Sequence, residues 1–196
     1  MIELDVHVLL SPNTKPEWQQ QCLRSIGHAV QRAGFPVHVH PCPAIPGDVG
    51  AARAVGYAKG SAPWKTYVDD DDHVLPDAFE VLGQHLASTN AAAVFPREYV
   101  MQNGHMLSKI NARHHLCTYR ADVVAAFPLR DWPVMCDLAL QLTATADPRG
   151  VLDINQTLYV HRVYANSGGR RLRLRSPAER ARIVELDHSI RGIARG

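Results

Sequence analysis

With 196 residues and a mass of 21.7 kDa, the chain has room for one domain and is too short for two of ordinary size, which run to ~100–150 residues each. At 46% hydrophobic and 20% charged residues, the composition excludes a disordered chain, a collagen-like one and a small disulfide framework. The formal charge of +2 hides a split, because residues 1–161 carry 12 Lys/Arg against 16 Asp/Glu while residues 162–196 carry 9 Arg against 3 acids. Such segregation marks either a solvated helix face or a surface that meets an anion.

No run approaches the ~18 apolar residues of a membrane span. The opening MIELDVHVLL has acids where a signal peptide would carry Lys or Arg, so a cytoplasmic location is expected. Cys22, Cys42, Cys117 and Cys136 show no C-x-x-C pairing and are expected as reduced thiols in or near the core.

In chain order, Leu4 to Leu10 reads as a strand, and Ser11-Pro12-Asn13-Thr14 supplies turn residues and an N-cap for a helix from Lys15 to about Arg32, with Pro16 in its first turn. Phe35 to His40 alternates as a second strand before the loop PCPAIPGD. Asp48 caps a helix through Lys59 that Gly60 stops, and Trp64 to Val68 is an apolar strand running into Asp69, Asp70, Asp71 and Asp72. Pro76 opens a helix to about Ser88. This alternation predicts an α/β fold with a mostly parallel central sheet. Further on, Ala92 to Met101 and Met106 to Ile110 read as a hairpin around Asn103-Gly104, and His115 to Tyr119 as a strand. Ala121 to Phe127 and Met135 to Ala146 read as helices, Thr157 to Tyr164 as a strand, and Ser176 to Ile190 as a capped helix after a Gly168-Gly169 turn.

Four acids at the carboxyl end of a buried strand repel one another unless a cation is present. In open α/β sheets that is also where ligands bind. The pair Asp69 and Asp71 offers the oxygen ligands that Mg²⁺ or Mn²⁺ takes, ions that share their shell with phosphate oxygens. The plainer alternative is a solvated acidic loop ahead of the next helix. No G-x-G-x-x-G fingerprint or Walker sequence occurs, which removes nicotinamide and kinase readings. His114-His115 lacks an acid at metal-ligand spacing and is expected to be structural or acceptor-facing.

The stretch GDVGAARAVGYAKGSAPWKTYVDDDDHVLPDAFEVL resembles the centre of family 2 glycosyltransferases of the GT-A fold, with Gly47, Ala52, Arg53, Gly56, Ala58, Gly60, Asp69, Asp71, Asp72 and Pro76 in register. LLSPNT, YRADVVAAF and LYVHRVYANS are similar to flanking segments, so the likeness covers most of residues 4–167. It implies a single GT-A catalytic domain over residues 1–167, followed by a basic segment, 168–196, packed on it. It also implies transfer of a sugar from a nucleotide-sugar donor of the UDP-sugar class to an acceptor hydroxyl with a Mn²⁺ or Mg²⁺ cofactor. Asp69 and Asp71 would hold the metal, with His161 replacing a late His whose position is Tyr164 here. Ser11, Asp48, Arg53, Asp69, Asp70 and Arg171 would face the donor, and Asp137 of Cys136-Asp137 would be the base of an inverting reaction. A second register puts Met135 at the base position.

The chain departs from that pattern in lacking acids at the end of the second strand, in Ala54 for an Asn and in Cys136 for a Glu. In the tail, Arg171, Arg173 and Arg175 fall on one side of an extended segment. They suit either a clamp on donor phosphates or the backbone of a nucleic-acid acceptor, with hydroxymethylated bases in DNA as one acceptor. Compact size without a membrane helix suits a small viral or bacterial member of the family. A nucleotidyltransferase and a non-catalytic nucleotide- or nucleic-acid-binding module stay open as alternatives.

Overall fold

A computed structural model describes residues 2–102, 105–110, 115–163 and 177–190. In chain order the elements are β1 (Leu4–Leu10), α1 (Pro16–Arg32), β2 (Val37–Pro43), α2 (Val49–Tyr57), β3 (Trp64–Asp69), β4 (His73–Val74) and α3 (Ala78–Ser88). They continue with β5 (Ala93–Gln102), β6 (His105–Ile110), β7 (Thr118–Arg120), α4 (Ala121–Ala126), a 3-10 turn (Leu129–Asp131), α5 (Cys136–Ala146), β8 (Val151–Val163) and α6 (Pro177–Ile190).

One sheet runs in the order β2-β1-β3-β7-β5-β8-β4, with β6 paired to β5. The three longest pairings, β1 with β2, β1 with β3 and β5 with β8, are parallel, and the shorter ones are antiparallel. The mostly parallel α/β fold read from the sequence is therefore the observed one.

Both sheet faces are covered. Leu4, Val6 and Val8 of β1 pack under α1 and α3 against Cys22, Ile26, Phe79 and Leu82. On the other face Tyr57, Tyr67, Tyr119, Phe127, Trp132 and Leu140 form a second core under α2, α4 and α5. Period-two alternation explains why β1 also buries Asp5 and His7, which point to that second face. There Asp5 accepts hydrogen bonds from Lys65 Nζ (2.5 Å) and Ala62 N (2.9 Å) and pairs with His40 Nε2 (2.9 Å). Gly60, at φ +70°, has no room for a Cβ beside the Asp5 carboxylate. All four cysteines are buried free thiols.

Three local expectations are corrected. β2 continues through Pro41 and Pro43, which an edge strand tolerates because one of its sides needs no donors. Helix α1 has no side-chain cap, because Thr14 Oγ1 donates instead to Asp70. Strand β8 begins at Val151, six residues earlier than the alternation indicates, where it joins the buried β5. The turn at Asn103-Gly104, the glycines 168 and 169, Ser176 and Arg171 lie outside the described residues. Among the described residues, no helix is long and apolar enough to cross a membrane.

Candidate active site

The acidic turn leaves the carboxyl end of β3 and folds back through the two-residue strand β4, which pairs with β8 at His73↔Val160 and Val74↔Tyr159. That pairing brings the turn beside the carboxyl half of β8. The four acids then separate. Asp72, whose side chain is fully buried, accepts from Arg162 N (2.6 Å) and Tyr159 Oη (2.8 Å) and meets His161 Nδ1 at 3.2 Å. Tyr159 Oη in turn accepts from Asp69 N at 3.2 Å, tying β8 to the start of the turn.

His115 completes a cluster. Its ring stacks between Tyr159 (centroids 5.0 Å apart) and His161 (4.4 Å). Nδ1 lies 2.7 Å from Glu98 Oε2 of β5, and Nε2 lies 3.6 Å from Asp69 Oδ2 and 4.0 Å from Asp72 Oδ2. Burial alone would depress its pKa. The hydrogen bond to Glu98 and the charges of Asp72 and Asp69 overcome that and hold it up at about 9.

Asp72, His115 and His161 present one ligand atom each, all within 4.8 Å of one another. Two imidazoles and a carboxylate suit a divalent transition ion, which on binding would displace the Nε2 proton of His115, with Glu98 on Nδ1 orienting that nitrogen. The residues present thus fit a metal. An acid that meets His161 is Asp72, and the acids beside His115 are supplied by β5 and by the turn after β3. In that turn Asp72 N donates to Asp69 O (3.1 Å) and directs the Asp72 side chain inward. Asp69 borders the cluster through His115.

Asp70 is turned away from the cluster, toward the β1–α1 loop, where it accepts from Ser11 N (2.6 Å), Thr14 Oγ1 (2.8 Å) and Gln19 Nε2 (2.7 Å). Burial is the largest influence on this carboxyl and raises its pKa despite those donors. Ser11 and Asp70, both expected to face the donor, are thus bonded to each other and shape the loop over β1. Asp48 serves as the cap of α2, accepting from Ala51 N at 2.8 Å.

Arg53, also expected to face the donor, is 2% exposed on the inner side of α2. Its Nη2 lies 2.6 Å from Asp69 Oδ1, its Nε 3.2 Å from Asp137 Oδ1, and its guanidinium carbon 3.4 Å above the Tyr67 ring. The structure therefore brings Asp69, Arg53 and Asp137 into one ion-paired row. Asp137 sits in the first turn of α5, which starts after Met135 at φ +59°. Leu116, next to His115, is at φ +55°. These are the non-glycine residues with left-handed backbone among the described residues, and both adjoin the site.

Glu98 and His115 escape sequence reasoning because metal-ligand spacing rules describe neighbours along the chain, whereas these two meet across β5 and the segment before β7. The available signal was an acid within the apolar run of β5.

No family model and no curated protein matches the sequence. Solved structures do resemble it. Residues 1–349 of S. aureus TarS align with a TM-score of 0.69 at 12% identity, covering 96% of this chain and 65% of that one. The same fragment in complex with UDP gives 0.68 at 12% identity over 97% of this chain and 65% of that one. Its complex with UDP-GlcNAc gives 0.65 at 11% identity over 97% and 71%. TarS is a staphylococcal glycosyltransferase. The fold is of the GT-A glycosyltransferase type. The chain spans just under two thirds of the first TarS fragment, and its GT-A sheet places the Asp72 cluster and the Asp69–Arg53–Asp137 row together where β3 and β8 end.

Proposed function

We propose that the protein is a metal-dependent, inverting glycosyltransferase that moves a sugar from a UDP-sugar to an acceptor hydroxyl. The observation that carries this reading is the convergence, on one end of a GT-A sheet, of a two-His-one-carboxylate cluster with Asp137 held beside it through Arg53. The UDP and UDP-GlcNAc complexes of TarS support the donor class. Asp72, His115 and His161 would hold the ion, Asp69 would face the donor next to it, and Glu98 would orient His115. When bound, a divalent cation stabilises charge on the departing diphosphate. The imidazole pair favours Mn²⁺ over Mg²⁺, which prefers oxygen ligands and retained waters.

Asp137 is the general base. As the acceptor oxygen bonds to the anomeric carbon, its proton passes to the Asp137 carboxylate, and the bond from the anomeric carbon to the phosphate oxygen breaks with its electron pair leaving on the nucleoside diphosphate. The basic segment after residue 161 fits an anionic acceptor, with hydroxymethylated duplex DNA as one member of that class.

Thermal-shift measurement with nucleoside diphosphates, with and without Mn²⁺, tests the reading. A ligand specific to the native state adds ~2.7 kcal/mol at a hundredfold excess over its dissociation constant. UDP should raise the melting temperature in Mn²⁺ and do so weakly in chelator. Absence of a shift with every nucleotide would remove the reading. Duplex DNA that fails to bind at low salt would remove the DNA acceptor alone.

A further inference from the structure

Burying a guanidinium costs several kcal/mol unless its charge is matched, and apolar replacements of buried ion pairs are often neutral or stabilising. Stability alone therefore gives little reason for Arg53 at 2% exposure between Ala52 and Ala54. Its partners are the informative feature. Asp69 ends β3 and Asp137 opens α5, 68 residues apart in sequence, and each gives Arg53 its Oδ1 oxygen. The Oδ2 of Asp69 faces His115 at 3.6 Å, on the side of the Asp72–His115–His161 cluster. The Oδ2 of Asp137 lies outside the ion pair, on a side chain that keeps 15% exposure. Tyr67, at 3.4 Å, fixes the plane of the guanidinium from the sheet side. Arg53 Nη1 is buried with no hydrogen-bond partner, so the group is oriented by these three contacts.

We infer that Arg53 is a positioning residue that couples the base Asp137 to the donor-side acid Asp69, and that it acts on the reaction through Asp137 without contacting the donor. The inference rests on the proposed function. Arg53 holds Oδ1 of Asp137 by Nε–H and leaves Oδ2 to take the acceptor proton. It shares its one positive charge with Asp69, so Asp137 is oriented without receiving a full cation of its own. The planar fork matters here, because a lysine ammonium would reach either carboxylate but could not fix both orientations.

The test compares the full chain with Arg53→Lys, Arg53→Met, Asp137→Asn and the Arg53→Met/Asp137→Asn double variant, measuring UDP-sugar turnover in Mn²⁺ and UDP affinity by calorimetry. Arg53→Met should lower kcat by about 100-fold while donor KM and UDP Kd stay within about threefold, the pattern of a lost transition-state interaction. The double variant should be no slower than Asp137→Asn alone, because the two side chains act as one unit. Arg53→Lys, which keeps the charge and the fold, should recover part of kcat. In a further variant, Arg53→Ala, added guanidinium ion should partly restore turnover, and it should do nothing for Asp137→Asn. Multiplicative losses in the double variant, or a loss seated in donor KM and UDP Kd, would overturn the inference while leaving the transferase reading intact. A wild-type chain that turns over no nucleotide sugar would overturn both.

Discussion

Asp137 and Glu98 make separable demands on the chemistry. In the proposed reaction Asp137→Asn keeps the size of the side chain but cannot accept the acceptor proton. Its kcat should fall by about 10²–10⁴, the usual worth of a general base, with UDP affinity unchanged. Steady-state kinetics paired with calorimetry checks this, and a loss confined to KM would contradict it. Glu98 meets the cluster at His115. Glu98→Gln should weaken Mn²⁺ affinity by about 10–100-fold, as second-sphere changes do, and metal titration followed by calorimetry would show it. Asp69, Asp71 and Asp72 stood out in the sequence because repelling charges at a strand end need a reason. Which of them turns inward did not, since that depends on the hydrogen bond from Asp72 N to Asp69 O and on the pairing of β4 with β8. His115 was legible as a histidine and not as a site residue, because its acids arrive from other strands.

The β1–α1 loop, α2 and the acidic turn hold one another in place. Asp70 joins the first and last through three donors. Asp70→Ala strands the Ser11 amide and should cost about 1–3 kcal/mol of stability, readable in a urea melt. Helix α2 comes so close to the 3-10 turn that a Cβ on Gly50 would overlap the backbone oxygens of Trp132 and Leu129. Gly50→Ala should therefore destabilise the chain by about 1–3 kcal/mol and, since α2 carries Arg53, lower activity as well. Calorimetric melting with kinetics on the surviving folded fraction separates the two effects. The alternating strands and helices of the first half were readable because each has a clean hydrophobic period and a marked boundary. The first residues of β8, VLDINQ, mix polar and apolar positions without a period, so alternation does not reach them, and their pairing with β5 is a tertiary contact.

Across the molecule, the acids divide between structure and chemistry. Asp5 belongs to structure. Burial alone would raise its pKa, but the hydrogen bonds from Lys65, His40 and Ala62 outweigh burial and leave it lowered. A lowered folded pKa contributes stability above the unfolded value of about 3.9, and that contribution is lost as pH falls through the folded value. Asp5→Asn should cost about 3 kcal/mol near neutrality, because Lys65 is left buried without its anion. The difference from wild type should shrink in acid melts below pH 4, and a difference independent of pH would contradict the assignment. The charge split along the chain also has a partial structural meaning. Arg182 of α6 donates to Asp131 O (2.5 Å) and stacks on Trp132 at 4.0 Å, next to the segment that leads into Asp137.

Nucleoside diphosphate release is the direct test of a transferase. The purified chain should be incubated with a panel of nucleotide sugars in Mn²⁺ and the products separated by anion-exchange chromatography. UDP should be released from at least one UDP-sugar, release should stop in chelator, and Asp137→Asn should slow it by about 10²–10⁴ while still binding UDP. Release of pyrophosphate from nucleoside triphosphates instead, or turnover of a UDP-sugar that is unaffected by Asp137→Asn, would contradict the proposed function.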